Sequence, residues 1–383
     1  MWSVGAILRL TAVAIFCVLL PLSADALDFC TVPHGQTYTI NEHSTCRRVQ
    51  NNHASGQAIF VPTKTDAEWS AGGNAFINAT PAGVTVSGCS SGSPSWTAVA
   101  SMPQSKGIFS METLDDGRVL ACAGLMAGSS NTNRCDIYDP GTNIWTQVAN
   151  LPQSKFGIAS ARIDGGKILI CAGSTGSYTN RCDTYDPSNN TWTQVANLSQ
   201  AKAYTVGASL ADGRAMICGG FGGSASNRCE IYNPSNNTWT TVANFPVAKQ
   251  RHIMDLMNDG RILACAGAPD ANGCDIYDPI ANTWAAATNF PRSESLMASA
   301  RLGNGQIMVC GGAAYTNRCD FYDPTAQTWT TGLSMPANRM WPAATKLNDG
   351  RVLLCGGSPA ANNYTNTCYI YDAGGPAGAS CTP

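Results

Sequence analysis

Six tryptophans, Trp96, Trp145, Trp192, Trp239, Trp284 and Trp329, recur at intervals of 49, 47, 47, 45 and 45 residues. Ten residues after each stands Lys106, Lys155, Lys202, Lys249, Glu294 or Arg339. Sixteen further on comes a cysteine: Cys122, Cys171, Cys218, Cys265, Cys310 or Cys355. A second cysteine follows, Cys135, Cys182, Cys229, Cys274, Cys319 or Cys368, at a variable spacing of 13, 11, 11, 9, 9 and 13. Only that interval varies strongly, so it is a surface loop, and the segments of fixed length are packed strands and tight turns. A repeat of this period means an array of one supersecondary unit.

Each unit reads as four strands. Strand a ("GIFSMETL" in the first) leads to a dipeptide turn: Asp116-Gly117, Gly165-Gly166, Asp212-Gly213, Asp259-Gly260, Asn304-Gly305 or Asp349-Gly350. These dipeptides tolerate the positive φ of a type I′ hairpin. Strand b is a buried apolar run such as "RVLACAG", strand c follows the variable loop, and strand d carries the Trp. Four short strands per unit predict β-propeller blades. The first element, "SWTAVA" at Trp96, is a strand d with no a, b or c before it. The last unit has a, b and c but no Trp after it. Joining the two gives six complete blades and leaves no open sheet edge.

Strand b ending in Gly-Gly or Ala-Gly, a Tyr on strand c, and Trp after a "Y-D-P-x-x-N-x-W" turn resemble the kelch repeat. The resemblance spans about Trp96 to Asp372. It implies an all-β, six-bladed kelch propeller closed by its N-terminal strand d. The expected division is 1–26 as a signal peptide, 27–95 as a small cysteine-containing module, 96–372 as the propeller and 373–383 as a tail. A fold of this kind hosts many functions.

Seventeen cysteines are present. Cys17 lies in the leader, where Arg9, the run "LTAVAIFCVLLPL" and Ala24-Asp25-Ala26 make a charged start, an apolar core and a cleavage site. The mature chain then has no membrane span and is secreted, periplasmic or held at the cell surface. Sixteen cysteines in an oxidising compartment point to disulfides. Strands b and c are antiparallel neighbours, so six in-blade bridges are expected: Cys122–Cys135, Cys171–Cys182, Cys218–Cys229, Cys265–Cys274, Cys310–Cys319 and Cys355–Cys368. Cys46–Cys89 would hold the N-terminal module with Cys30–Cys381 tying down the terminus; Cys89–Cys381 is the alternative. A net charge of -2 gives no footprint for nucleic acid. With no C-x-x-C and few histidines, neither metal nor cofactor is expected.

Loops b–c and d–a share one face. There Lys106, Lys155, Lys202, Lys249, Glu294 and Arg339 form a ring of five cations and one carboxylate. Two residues on stand Ile108, Gly157, Tyr204, Arg251, Leu296 and Trp341. A cationic ring in a concave mouth attracts anions, and aromatic faces beside polar groups suit sugars. The same cations can equally pack against the neighbouring blade. The resulting expectation is a binding module for a glycan or an extracellular protein, with Lys106, Lys155, Lys202, Lys249, Glu294, Arg339, Tyr204 and Trp341 at the site. The alternative is a carbohydrate-modifying enzyme similar to the periplasmic six-bladed kelch proteins that mutarotate sialic acid, with Glu294 working beside Arg251 or Arg339. A comparison with the copper radical oxidases fails, since the propeller holds one histidine, His252. An Asn two residues before each second cysteine, from Asn133 to Asn366, reads as a loop cap. Sequons stand at Asn78, Asn189, Asn197, Asn236 and Asn363.

Overall fold

The computed structural model describes residues 29–32, 48–51 and 93–374. The segments Phe29–Val32 and Arg48–Asn51 pair as a parallel ladder. The leader, most of the small module, Cys46, Cys89, Cys381 and Asn78 fall outside the described residues, and the Cys30 side chain is not described either. Residues 92–374 belong to one compact unit, which is six four-stranded antiparallel sheets. Among the described residues no helix is long and apolar enough to cross a membrane.

Blade 1 has strands a Ser110–Thr113, b Val119–Cys122, c Cys135–Asp139 and d Ile144–Val148. Blades 2 to 5 repeat this order over 159–195, 206–242, 253–286 and 298–331. Blade 6 takes a Ala343–Lys346, b Val352–Cys355 and c Cys368–Asp372 from the end of the repeats, and d from Ser95–Val99. The register pairs Tyr371 with Trp96 and Cys368 with Val99, so the N-terminal strand closes the ring.

Burial follows position in the blade. Strand b is buried at every residue, from "VLAC" in blade 1 to "VLLC" in blade 6, except at Lys167 where strand b of blade 2 begins. Both its faces are covered, as expected of continuous apolar runs. Strand d exposes most of its residues and half-buries its Trp. The core lies between blades. One cluster joins Leu114, Leu120 and Ile137 of blade 1 to Ile168, Ile170 and Tyr185 of blade 2. Another joins Met308 and Phe321 of blade 5 to Leu354 and Tyr371 of blade 6, with Trp96 against it. A blade therefore buries its apolar surface only in company.

Polar pins reinforce those interfaces. Trp145, Trp192, Trp239 and Trp284 donate Nε1–H to the carbonyls of Ala100, Ala149, Ala196 and Ala243 in the preceding blade, at 2.7 to 2.9 Å. The glycine at the second position after each strand b turns left-handed and donates its N–H to the next blade: Gly124 to Lys155, Gly173 to Lys202, Gly220 to Lys249 and Gly357 to Lys106. At Gly220 the φ is 102°, and a Cβ would stand 2.9 Å from the Ala203 carbonyl oxygen. Glycine alone combines that backbone angle with so close an approach.

The six expected bridges are present, with Cα separations of 4.1 or 4.2 Å. Each joins residues that face each other across strands b and c, such as Cys218 and Cys229. The a–b turns differ from expectation. In five blades only the glycine is left-handed, as with Gly213 at φ 81°. There Gly213 N–H bonds to Leu210 and Leu210 N–H to Arg214. That is a type I turn with a glycine bulge. The aspartate favours it by accepting the N–H of the following arginine, as Asp212 does from Arg214 at 3.1 Å. Both turn residues are left-handed only in blade 2, at Gly165 and Gly166.

Candidate functional site

The expected ring of mouth cations is in fact inside the blades. Lys106, Lys155, Lys202 and Lys249 are at most 1% exposed, Arg339 is 4% exposed and Glu294 7%. Burial pulls Lys106, Lys155 and Lys202 down to about 8, which disfavours their charge. Their places follow from strand c. In blades 1 and 2 the buried Asp136 and Asp183 are each gripped by Arg134 and Arg181, and the lysine ammonium reaches that arginine's carbonyl at 3.5 Å. In blade 4 the arginine is replaced by Gly273, and Lys249 takes over, pairing Asp275 and Asp270 at 2.9 Å each. In blade 5 the lysine is replaced by Glu294, and Arg292 supplies the cation, reaching Asp320 at 2.9 Å and Glu294 at 3.3 Å. In blade 6 Arg339 meets Thr367 and lies over Tyr369. In blades 1 to 5 the buried carboxylate of strand c thus has a cation from its own blade, so the tier neutralises buried charge there.

The residues two positions on form the mouth. Ile108, Gly157, Tyr204, Arg251, Leu296 and Trp341 all adopt left-handed φ between 54° and 66°. Each donates its N–H to the carbonyl of its counterpart in the neighbouring blade: Gly157 to Ile108, Tyr204 to Gly157, Arg251 to Tyr204, Leu296 to Arg251, Trp341 to Leu296 and Ile108 to Trp341. The result is a closed backbone collar. Hydrogen-bonded backbones lie ~5 Å apart, so a hexagon of six sets opposite backbones ~10 Å apart before atomic radii are subtracted. Such a bore passes water and stops a sugar ring. The longest bond, 3.4 Å from Ile108, falls where blades 6 and 1 meet.

Above this collar the side chains are aromatic and hydrogen-bond donating. The Arg251 guanidinium stacks on Tyr204 at 4.5 Å, and Phe156 meets Tyr204 edge-on at 5.9 Å. Arg251 Nε and Trp341 Nε1 are buried without a hydrogen-bond acceptor, as is Arg339 Nε inside blade 6. Burial pushes the Tyr364 phenol up, and the nearby Tyr204 and Tyr315 add to it. Tyr204, Arg251 and Trp341 thus share the collar, while the four lysines and Glu294 are buried within the blades, Lys202 Nζ without a hydrogen-bond partner. Glu294 accepts from Arg292 and from the N–H groups of Ser295 and Ala314. His252 is buried without a partner and burial pushes it down to about 3. Among the described residues no three His, Cys, Asp or Glu gather as a metal site. The asparagines cap loops: Asn133, Asn180 and Asn366 donate to the carbonyls of Leu151, Leu198 and Met102.

Sequence reading missed two carboxylates in the channel wall. Glu112 and Asp255 occupy equivalent places in blades 1 and 4, three blades apart, where other blades have Ala161, Ala208, Ala300 and Thr345. Glu112 accepts from Ser160 Oγ at 2.7 Å, and Ser299 plays that part for Asp255. Burial lifts each to about 7, and the Asp255 charge adds to the effect on Glu112. Between about pH 4 and 7 the folded chain keeps protons that the unfolded chain has released. Their stabilising contribution is therefore present in acid and lost as pH rises through 7. Wild type should lose melting temperature between pH 5 and pH 8 relative to E112Q/D255N; parallel curves would refute this.

The kelch motif family model matches residues 113–152, 159–199 and 203–246. No curated protein matches the chain. Among solved structures, YjhT superposes with a TM-score of 0.61 at 15% identity, covering 71% of this chain and 96% of that one. A fungal alcohol oxidase of the AA5 family, in complex with copper, superposes at 0.55 and 13% identity, covering 73% and 76%. Likeness at that identity speaks for the fold. The motif that the family model finds three times is the one the structure builds six times over, and the chain accordingly belongs to the kelch-repeat β-propellers.

Proposed function

We propose that the chain is an exported, disulfide-stabilised binding module that takes a glycan at the mouth of its b–c loop face. The observation that carries this reading is the Arg251 guanidinium, a hydrogen-bond donor stacked on the Tyr204 ring, with the half-buried Trp341 on the same backbone collar. A pyranose offers an apolar face for stacking and oxygens to accept such donors, so it satisfies both halves of the site. The collar beneath supplies a rigid floor. Export is supported by the leader-like N-terminus and by the paired cysteines of every blade.

Titration against a panel of neutral and acidic sugars, followed by NMR, tests the reading. Trp341→Ala and Arg251→Ala should each weaken binding about tenfold or more, the scale of one lost stacking or charge-assisted contact. Their melting temperatures should stay close to wild type, because both side chains are only half-buried. Wild-type affinity in both variants would remove the mouth from consideration. Faster anomer exchange in the presence of the protein would instead favour the sugar-modifying alternative.

A further inference from the structure

We infer that the mouth continues outward as an aromatic ridge across blades 2 and 3, and that this ridge carries the second and third units of a neutral oligosaccharide whose terminal unit sits on the collar. The inference rests on the glycan reading above and specifies the length and charge of the ligand.

The ridge arises where the repeat is broken. Fifteen residues before the strand b cysteine the blades read Gly107, Phe156, Ala203, Gln250, Ser295 and Met340. Three residues after it they read Leu125, Ser174, Phe221, Ala268, Ala313 and Ser358. Each position therefore holds one aromatic, and both aromatics fall in adjoining blades. A third ring, Tyr178, stands in the b–c loop of blade 2. The backbone links them: Phe156 bridges Ser174, Ser174 bridges Tyr178, and Ala203, next to Tyr204, bridges Phe221. The rings also touch in pairs, Tyr178 with Phe221 at 5.8 Å and Phe156 with Tyr204 at 5.9 Å, both edge-on. Aromatic surface thus runs from the collar at Tyr204 to the rim at Tyr178, which is 41% exposed.

The company of these rings decides the ligand class. Residues 173–180 and 219–227 contain no charged side chain and are rich in Ser, Thr, Gly and Asn. Gln153 in the d–a loop adds a buried Oε1 with no donor. Rings interleaved with uncharged donors and acceptors match a neutral sugar chain, whose units alternate apolar faces and hydroxyl edges. Beyond Arg251 at the collar, an acidic peptide or polyanion would find no cation in either of these loop segments. The collar fixes the direction: no sugar ring passes it, so a chain end rests there and the remaining units extend along the ridge.

The test is calorimetry with glucose, mannose, galactose and N-acetylglucosamine, each as one, two and three linked units. In the series that binds, affinity should rise about tenfold or more from one unit to three, the scale of an added ring-on-ring contact. Tyr178→Ala should erase that gain and leave the single sugar's affinity unchanged. Tyr178→Phe should keep the gain. Equal affinity for one and three units overturns the ridge and leaves the mouth standing, as does a gain that survives Tyr178→Ala. Failure of every series to bind overturns both. Tyr178 is exposed on a loop, so its variants should fold.

Discussion

A chain shortened to 101–374 is expected not to fold, whereas 92–374 should fold and melt cooperatively. The difference is one strand. Ser95–Val99 pairs along the whole of Cys368–Asp372, and Trp96 lies 4.9 Å from the Tyr371 ring. Removing it strips the Trp96 side chain from the cluster between blades 5 and 6, a loss of about 3–5 kcal/mol by itself. It also leaves the strand c edge of blade 6 without backbone partners, and an open edge recruits other chains. Total stabilities of domains are only about 5–15 kcal/mol, so the shorter chain should aggregate or remain unfolded. Circular dichroism and size-exclusion chromatography of the two chains decide the matter. Equal stability would mean that the N-terminal strand is dispensable to closure.

The second large effect concerns the bridges. Each closes a loop with a separation of 9 to 13 residues. On chain entropy alone that is worth about 3 kcal/mol, or roughly 15–18 kcal/mol for all six if the terms add. The sum is comparable to the whole stability of an ordinary domain. The unfolded chain refolded under reducing conditions should therefore fail to reach the native state. The folded chain should behave differently, because its described cysteines are at most 2% exposed. Reductant without denaturant should leave the six bridges intact for as long as the fold holds. Mass mapping of thiols released at stages of a denaturant series would show this. Early release of one pair would mark the blade that opens first, and gradual release with no denaturant would contradict the protection argued here.

Most of the architecture was legible in the sequence because its spacings are fixed by packing. The Trp-to-cysteine interval cannot change without displacing a strand in a shared core, so six blades, the bridging pairs and the closing strand could be read by counting. Turn geometry was less legible. Asp-Gly serves both a type I′ hairpin and a type I turn with a bulge, and the choice lies in how Asp212 meets Arg214. The collar positions Tyr204, Arg251 and Trp341 could be named by counting, but the cationic tier two residues before them is buried rather than open. Lysines in a low-charge repeat look exposed until the partner on strand c is known, and Asp136 or Asp183 lies about thirty residues away in the chain. Their covariation was visible in principle: Gly273 replaces an arginine in the one blade whose lysine gains Asp270. The channel carboxylates had a signal too, since Glu112 and Asp255 interrupt a row of alanines. Counting places those residues three blades apart in a ring of six, but their burial, which lifts both carboxyls, is visible only in the structure.

The collar has a bearing on how such a protein can change over time. It is made wholly of backbone groups, and its six positions hold Ile108, Gly157, Tyr204, Arg251, Leu296 and Trp341, with no two side chains alike. The hydrogen bonds ask nothing of the residue except that it accept a left-handed φ, at a cost of about 1–2 kcal/mol for any residue but glycine. The side chain is left outside the bonding scheme and projects beside the mouth. New specificities can therefore be sampled at six sites around one opening while the scaffold stays as it was, because the part of each residue that selection sees there is separate from the part that holds the ring together.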